Sequence, residues 1–422
     1  MEKYNEYKDT GIDWLPKLPS HWKLEQLRKY ISLVSIKGHP EKQLLSVTRE
    51  QGVIVRDTES KEENHNFIPE DLSGYKYVQK GQFVINKMKS WQGSYGVSEY
   101  EGIVSPAYFV CDLCFPNKKF FSLAIRSRNY VSFFAQYSKG IRVGQWDLSP
   151  IALKSIPFFE PPIAEQEKIV RFIESKTLNI DTYVAERERE LQLLNELKES
   201  EIANIVTRGL NPDVKMKDSG IEWLGSIPEH WEVKRLASLF TGKVDSNSNF
   251  EYHHAFKFNY GTLVPKDEIG DIEEYRDTYI KYSIIKKDDI LINGLNLNYD
   301  FVSQRVAIAP YDGIITSAYI VVRPRKGTNS TYYNYLLKTM DNKKLFHGMG
   351  TGIRLTLSFD ELKKQLIPVP PKDEQESIVA YIEEKTNKVN SLIKELEAEI
   401  EYLKEYKQTL IADCVTGQIK VE

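Results

Sequence analysis

The chain has 422 residues, of which 28 % are charged, with a formal net charge of −3. That length exceeds one ordinary core and suits two or more domains, and the balanced charge excludes a disordered or polycationic chain. No apolar run approaches a membrane span, no signal-peptide pattern opens the chain, and three cysteines point to a reducing cytoplasm rather than a disulfide framework.

The chain opens with Asp9-Thr10-Gly11-Ile12-Asp13-Trp14-Leu15, then Leu18-Pro19-Ser20-His21-Trp22. A globular segment follows over about Leu24 to Phe159. Gly81 to Ile85 and Gly102 to Val110 read as strands, and Phe120 to Tyr137 has helical spacing. Gly140-Ile141-Arg142 and Leu148-Ser149 come next. Pro161-Pro162-Ile163-Ala164-Glu165-Gln166-Glu167 then opens a run with no further proline or glycine before Gly209. Prolines suit a helix entrance, and Gly209 and Pro212 are stop signals. A helix of roughly 42 residues is about 63 Å long, far beyond three or four turns, so it needs a partner along its length.

Then the order repeats. Asp218-Ser219-Gly220-Ile221-Glu222-Trp223-Leu224 and Ile227-Pro228-Glu229-His230-Trp231 restate the leader, Trp223 lying 223 − 14 = 209 residues after Trp14. A second globular segment runs from about Val233 to Val369. Ile290 to Ile292 and Gly313 to Ile320 read as strands and Tyr332 to Phe346 as helix, before Gly352-Ile353-Arg354 and Leu357-Ser358. Pro370-Pro371-Lys372-Asp373-Glu374-Gln375-Glu376 opens a second long helix, again at 374 − 165 = 209. In it Ile382, Val389, Leu396, Leu403 and Leu410 recur every seven residues, beside Ile378, Ile393 and Ile400, which is a coiled-coil seam. The first helix carries Ile173, Ile180, Val184, Leu191 and Leu194, with Arg187 and Glu201 as polar interruptions. The period is far longer than a solenoid repeat, so this is a duplicated domain.

The expected fold is therefore α+β: a tandem duplication of two mixed α/β domains separated by two long antiparallel coiled-coil helices. The boundaries read as 1–160, 161–210 (central helix), 211–370 and 371–422 (C-terminal helix). The frame repeats, but Lys87-Met88-Lys89-Ser90-Trp91-Gln92-Gly93-Ser94-Tyr95 has no counterpart in Asn293-Gly294-Leu295-Asn296-Leu297-Asn298-Tyr299. Two different polar, aromatic loops on one duplicated frame suit two readers of two targets.

Catalytic signals fail on context. Phe346-His347-Gly348-Met349-Gly350 matches the F-x-G-x-G of S-adenosylmethionine sites but follows a helix-like run instead of a strand. Glu160-Pro161-Pro162-Ile163 lacks the Asn or Asp, and the aromatic, of a DNA amino-methyltransferase motif. Cys111 and Cys114 form a C-x-x-C with no second pair nearby and read as core residues. His21 and His230 recur identically in both leaders, which suits packing. There is no P-loop pattern.

Pro-Pro-x-x-Glu-Gln-Glu at Pro161 and Pro370, the Val-Thr-Arg-Gly-Leu-Asn-Pro run from Val206, the leader at Asp218, and Gly-Ile-Arg followed by Leu-Ser before each helix resemble the specificity subunit of Type I restriction-modification enzymes over the whole chain. The second helix ends Val415-Thr416-Gly417-Gln418 and departs from Val-Thr-Arg-Gly. The resemblance implies two target-recognition domains held apart by antiparallel helices, each reading half of a bipartite double-stranded DNA target. It implies two modification subunits that bind S-adenosylmethionine and methylate adenine, and restriction subunits that use ATP and Mg. This chain itself would hold no cofactor and no catalytic residue. Half-sites on one duplex face lie about 34 Å apart, a distance that paired helices can fix. Base edges are read by Arg, Lys, Asn and Gln. The candidate DNA-binding residues are Lys87, Lys89, Ser90, Trp91, Gln92, Tyr95, Arg142 and Gln145 in the first segment. In the second they are Asn293, Asn296, Asn298, Tyr299, Arg305 and Arg354. Arg142 and Arg354 occur in both frames and suit phosphate. A stand-alone DNA methyltransferase or nuclease, or a purely structural coiled-coil adaptor, are the alternatives.

Overall fold

In a computed structural model, the structure describes residues 2–12, 15–57, 68–140, 146–266, 271–298, 304–352 and 355–421. The chain divides into two compact units. Unit 1 is Met1–Glu188 with Ala398–Glu422, and unit 2 is Arg189–Glu397. The elements that matter are, in chain order, β1 (Ile31–Val34), β2 (Phe83–Ile85), β3 (Tyr95–Val97), β4 (Phe109–Leu113), α1 (Lys118–Ile125), α2 (Arg128–Tyr137) and α3 (Ile163–Arg208). They continue with β5 (Phe240–Thr241), β6 (Ile290–Ile292), β7 (Val306–Ile308), β8 (Ile320–Pro324), α4 (Ser330–Asn342) and α5 (Lys372–Val415). No helix among the described residues is long and apolar enough to cross a membrane.

Each unit is built on the same antiparallel sheet. In unit 1 the order is β1-β4-β2-β3, and in unit 2 it is β5-β8-β6-β7. The central strands are short triplets, Phe83-Val84-Ile85 and Ile290-Leu291-Ile292, fully buried because both faces of the sheet are covered. The Gly102–Val110 run expected as one strand is two, Gly102–Val104 and β4, with Pro106 between them. The Phe120–Tyr137 helix is likewise broken into α1 and α2, because Ser127 takes an extended conformation as the N-cap of α2.

The long helices start and stop by the same devices in both halves. Gln166 Nε2 donates to the Pro161 carbonyl (2.7 Å), and Gln375 Nε2 to that of Pro370 (2.8 Å). Glu165 accepts from Trp22 Nε1 (2.9 Å) and lies 2.6 Å from His21 Nε2. Glu374 repeats this with Trp231 (2.9 Å) and His230 (2.8 Å). Both indoles are fully buried; removing ~150–250 Å² of each from water contributes roughly 4–6 kcal/mol. The leader histidines are thus parts of a clamp. Each helix stops at a glycine with positive φ, Gly209 (+80°) and Gly417 (+69°). A Cβ at Gly209 would lie 2.8 Å from Glu374 Oε1, and one at Gly417 would lie 2.5 Å from Pro19. A side chain at either position is strained by the left-handed backbone, and at Gly417 it also meets the Pro19 ring.

Within each unit the helices pair antiparallel. In unit 1, Asp181 meets Lys407 (2.6 Å) and Glu188 meets Lys404 (3.0 Å). In unit 2, Lys198 Nζ donates to Asn390 Oδ1 (3.2 Å) and Tyr381 OH to Glu201 (3.3 Å). The seam residues Ile378, Ile382, Ile393, Leu396, Ile400 and Leu410 are buried, while Val389 and Leu403 are half-buried. The polar interruption at Arg187 is used: it donates to Tyr183 OH (2.9 Å), whose own hydroxyl donates to Glu399 (3.0 Å). The far end of α5 completes the core of unit 1, where Leu410, Cys414 and Val415 pack with Trp22, Ile169 and Ile173.

Cys111 is buried, and burial pushes its thiol up to about 12. Cys114 is exposed, contrary to the expectation of two core thiols. Side chains alternate along β4, so a spacing of three puts the two sulfurs on opposite faces, which also prevents them from sharing a metal.

Candidate nucleic-acid interface

The two loops with no sequence counterpart are the same connection. Residues 86–94 join β2 to β3, and residues 293–305 join β6 to β7, the equivalent strands of the equivalent sheet. A second pair of bridged residues lies against each. In unit 1, Lys139 and Asp147 form a bridge, and Leu148 N donates to Lys87 O (3.2 Å). In unit 2, Thr351 and Thr356 form the bridge, while Leu357 N donates to Gly294 O (2.9 Å) and Leu297 N to Leu355 O (3.2 Å). Arg142, Gln145, Tyr299 and Arg354 lie outside the described residues.

In the first connection Lys89 is exposed, and Lys87, Trp91 and Gln92 are half-buried. Lys87 Nζ is paired with Asp147 (2.8 Å), which ties the loop to the Lys139–Asp147 bridge. Trp91 packs on Trp146 with ring centroids 5.3 Å apart, and its Nε1 donates to Met88 O (3.2 Å). Two expected contacts are corrected. Ser90 is fully buried and donates to the Lys87 carbonyl (3.1 Å), so it shapes the turn. Tyr95 is fully buried on β3, stacked on Phe134 at 3.9 Å, and burial raises its phenol pKa well above the usual value. Neither can touch DNA without unfolding the segment.

In the second connection Asn296 is exposed at φ +54°, and Asn293 and Asn298 are half-buried. Arg305 is a third correction. It is 1 % exposed, its Nη1 donates to the carbonyls of Asn293 (3.0 Å) and Leu295 (2.8 Å), and its N–H donates to Asp341 (2.6 Å). Its guanidinium fastens the loop backbone from beneath. Burial raises the Asp341 carboxyl pKa.

Sequence reasoning missed a second arginine that binds backbone carbonyls, in unit 1. Arg126 donates to the carbonyls of Tyr95 (2.6 Å), Arg49 (2.9 Å) and Glu50 (2.7 Å). The available signal was the N-cap asparagine that opens each helix, Asn117 and Asn329, with a cation nine residues later at Arg126 and Lys338. The exposed Gln304, beside Arg305, was missed as well. Each unit presents its own polar connection, with Lys89, Trp91 and Gln92 in unit 1 and Asn293, Asn296 and Asn298 in unit 2. Donors and acceptors of this kind match base edges.

A family model described as Type I restriction modification DNA specificity domain matches residues 228–402. A Methanocaldococcus jannaschii protein provisionally named as the type I restriction enzyme MjaX specificity subunit is 21 % identical over all of this chain and 98 % of its own length. The Escherichia coli type I restriction enzyme EcoBI specificity subunit is 22 % identical, over 72 % of this chain and 66 % of its own. A solved chain, from work on complex assembly and conformational transition of the type I R-M system, shares the fold at a TM-score of 0.67. It is 16 % identical and the match covers 96 % of this chain and 100 % of that one. With the duplicated sheets, the paired helices and the repeated leader clamp, the matches identify a Type I restriction modification DNA specificity domain over residues 228–402, and over its whole length the chain is similar to the specificity subunits of Type I restriction enzymes.

Proposed function

We propose that this chain recognises a bipartite, asymmetric sequence in double-stranded DNA and directs adenine methylation, and cleavage where restriction subunits join, by partner subunits. One observation carries this reading: the same connection of the same sheet bears lysine, tryptophan and glutamine in one unit and asparagines in the other. A frame kept constant around a changed surface is what two independent half-site readers require. Residues 1–160 and 211–370 are the recognition modules, and 161–210 and 371–422 the frame, in a protein working in the cytoplasm.

Docking of two modification subunits is supported by two apolar patches at equivalent places of the repeat. In unit 2, Leu193, Leu197 and Leu392 are exposed; in unit 1 the corresponding residues, offset by 209, are Tyr402, Tyr406 and Tyr183, the first two exposed. Exposed apolar side chains at helical spacing suit partner helices. In this reading the chain is not catalytic: the modification subunits bring S-adenosylmethionine, and the restriction subunits ATP and Mg. The stand-alone methyltransferase reading is weakened because Phe346 is buried in a short turn after α4, not at a strand end.

The test is exchange of residues 233–369 for the matching segment of a relative, followed by mapping methylated adenines in cellular DNA. One half-site should change and the other stay. Alteration of both would refute modular reading.

A further inference from the structure

One cleft occurs in both units, each time between a helix of the globular segment and that unit's pair of long helices. In unit 1 it has a volume of about 720 Å³ and lies beside α1; in unit 2 it is about 300 Å³ and lies beside α4. Three lining positions of the long helices repeat. Thr177, Lys407 and Ile411 in the first correspond to Thr386, Lys198 and Ile202 in the second, since 386 − 177, 407 − 198 and 411 − 202 are all 209. The globular side contributes Arg126 to one cleft and Lys338 to the other, at the same distance from the N-cap asparagine.

These two cations share an unusual state. Arg126 is bonded to three carbonyls and, among the described residues, forms no ion pair. Burial lowers the pKa of both Arg126 and Lys338. Lys338 Nζ has neither a hydrogen bond nor an ion pair among the described residues, although the buried Asp341 lies near enough to favour its charge. The other carboxylates lining the clefts are Glu50 and Glu199, both exposed. A desolvated cation without a counter-ion is costly, and an oxyanion seated beside it relieves that cost. The helix lysines are less free, as Lys407 meets Asp181 (2.6 Å) and Lys198 meets Asn195 (3.3 Å) and Asn390 (3.2 Å).

The lip of each cleft is the reading connection itself, through Gln92 in unit 1 and Gln304 in unit 2. A duplex read by that connection brings its backbone to the cleft. A ligand common to both half-sites suits the clefts, because a globular-side cation and the threonine, lysine and isoleucine of the long helices are kept in both while the reading residues differ. Phosphates satisfy this and bases do not. Resting on the half-site reading above, we propose that each cleft takes a backbone phosphodiester of the DNA flanking its half-site. Arg126 and Lys407 are the positioning cations in unit 1, and Lys338 and Lys198 in unit 2.

The test uses the chain assembled with its modification subunits, and duplexes carrying either the mapped target or a scrambled sequence, over a salt series. Lys338→Gln and, as an apolar control for folding, Lys338→Met should each lower the slope of log affinity against log salt by about one unit. Target and scrambled duplexes should weaken alike, by about fivefold near 0.15 M salt. Lys338→Arg should keep the slope, and the methylated sequence should stay the same in all three. An unchanged slope in both charge-removing variants, with Asn296→Gly still altering base preference, would overturn the cleft assignment and leave half-site reading intact. If Asn296→Gly and exchange of residues 233–369 both left the preference unchanged, half-site reading would fail first. Loss of the modification subunits from the Lys338 variants, with the slope unaltered, would instead assign the cleft to an acidic protein segment and overturn the phosphate proposal.

Discussion

Replacing Glu374 by alanine removes one acceptor from two donors, His230 Nε2 at 2.8 Å and Trp231 Nε1 at 2.9 Å. The two losses are unequal. The His230 side chain is 46 % exposed and can turn to water, so its share is ~0–1 kcal/mol. Trp231 is fully buried, and an indole N–H left there without an acceptor costs about 1–3 kcal/mol. The two shares sum to roughly 1–4 kcal/mol. Trp231→Phe removes the donor itself, so Glu374→Ala should cost about 1–2 kcal/mol less in that background. Hydrogen exchange read by mass spectrometry suits the question, because it follows local opening in a chain that need not unfold in two states. Peptides covering residues 226–235 and 366–378 should exchange about 30-fold faster, since each 1.4 kcal/mol is a factor of ten. Protection unchanged within about twofold, or an equal loss in the Trp231→Phe background, would refute the clamp.

Two further outcomes follow from the interface. Arg305→Met leaves the stem but frees the carbonyls of Asn293 and Leu295, so melting temperature and affinity for every DNA sequence should fall together, with about 2–4 kcal/mol of stability lost. Asn296→Gly, which keeps the left-handed backbone and removes only the exposed amide, should instead leave the melting temperature nearly unchanged and relax preference at one base pair by about 1–3 kcal/mol, as read by competition binding. Calorimetry on the purified chain should detect no S-adenosylmethionine binding, and a micromolar dissociation constant would return the methyltransferase reading to the front.

The long helices and leaders were legible because their signals are periodic and duplicated: a seven-residue seam, an uninterrupted run of helix formers, and prolines and glycines at the ends. The equivalence of the two reading connections was not. Phe83-Val84-Ile85 and Ile290-Leu291-Ile292 are buried triplets with no periodicity, and only strand pairing reveals that they occupy the same place. Polar loop residues also conceal their direction. Ser90 and Arg305 bond inward to loop carbonyls, and Tyr95 stacks into the core, yet by type each resembles a DNA contact. Arg126 and Lys338 escaped because they differ in type and lie 338 − 126 = 212 residues apart, out of step with the 209-residue frame.

The docking of α5 against the first leader sets an order of events during synthesis. Unit 2 is continuous from Arg189 to Glu397 and has all its residues to hand before Ala398 is added. Unit 1 is not so placed, for Trp22 waits for Leu410, Cys414 and Val415 to cover it. At ~5–20 residues per second, the ribosome needs about 20–80 s to make the intervening chain. For that interval Leu18, Trp22 and the first turns of α3 present apolar surface to solvent, and the earliest residues made are among the last to be buried. A nascent chain stalled before residue 398 would therefore be captured by holdase chaperones through its beginning, while its newer portion is already closed.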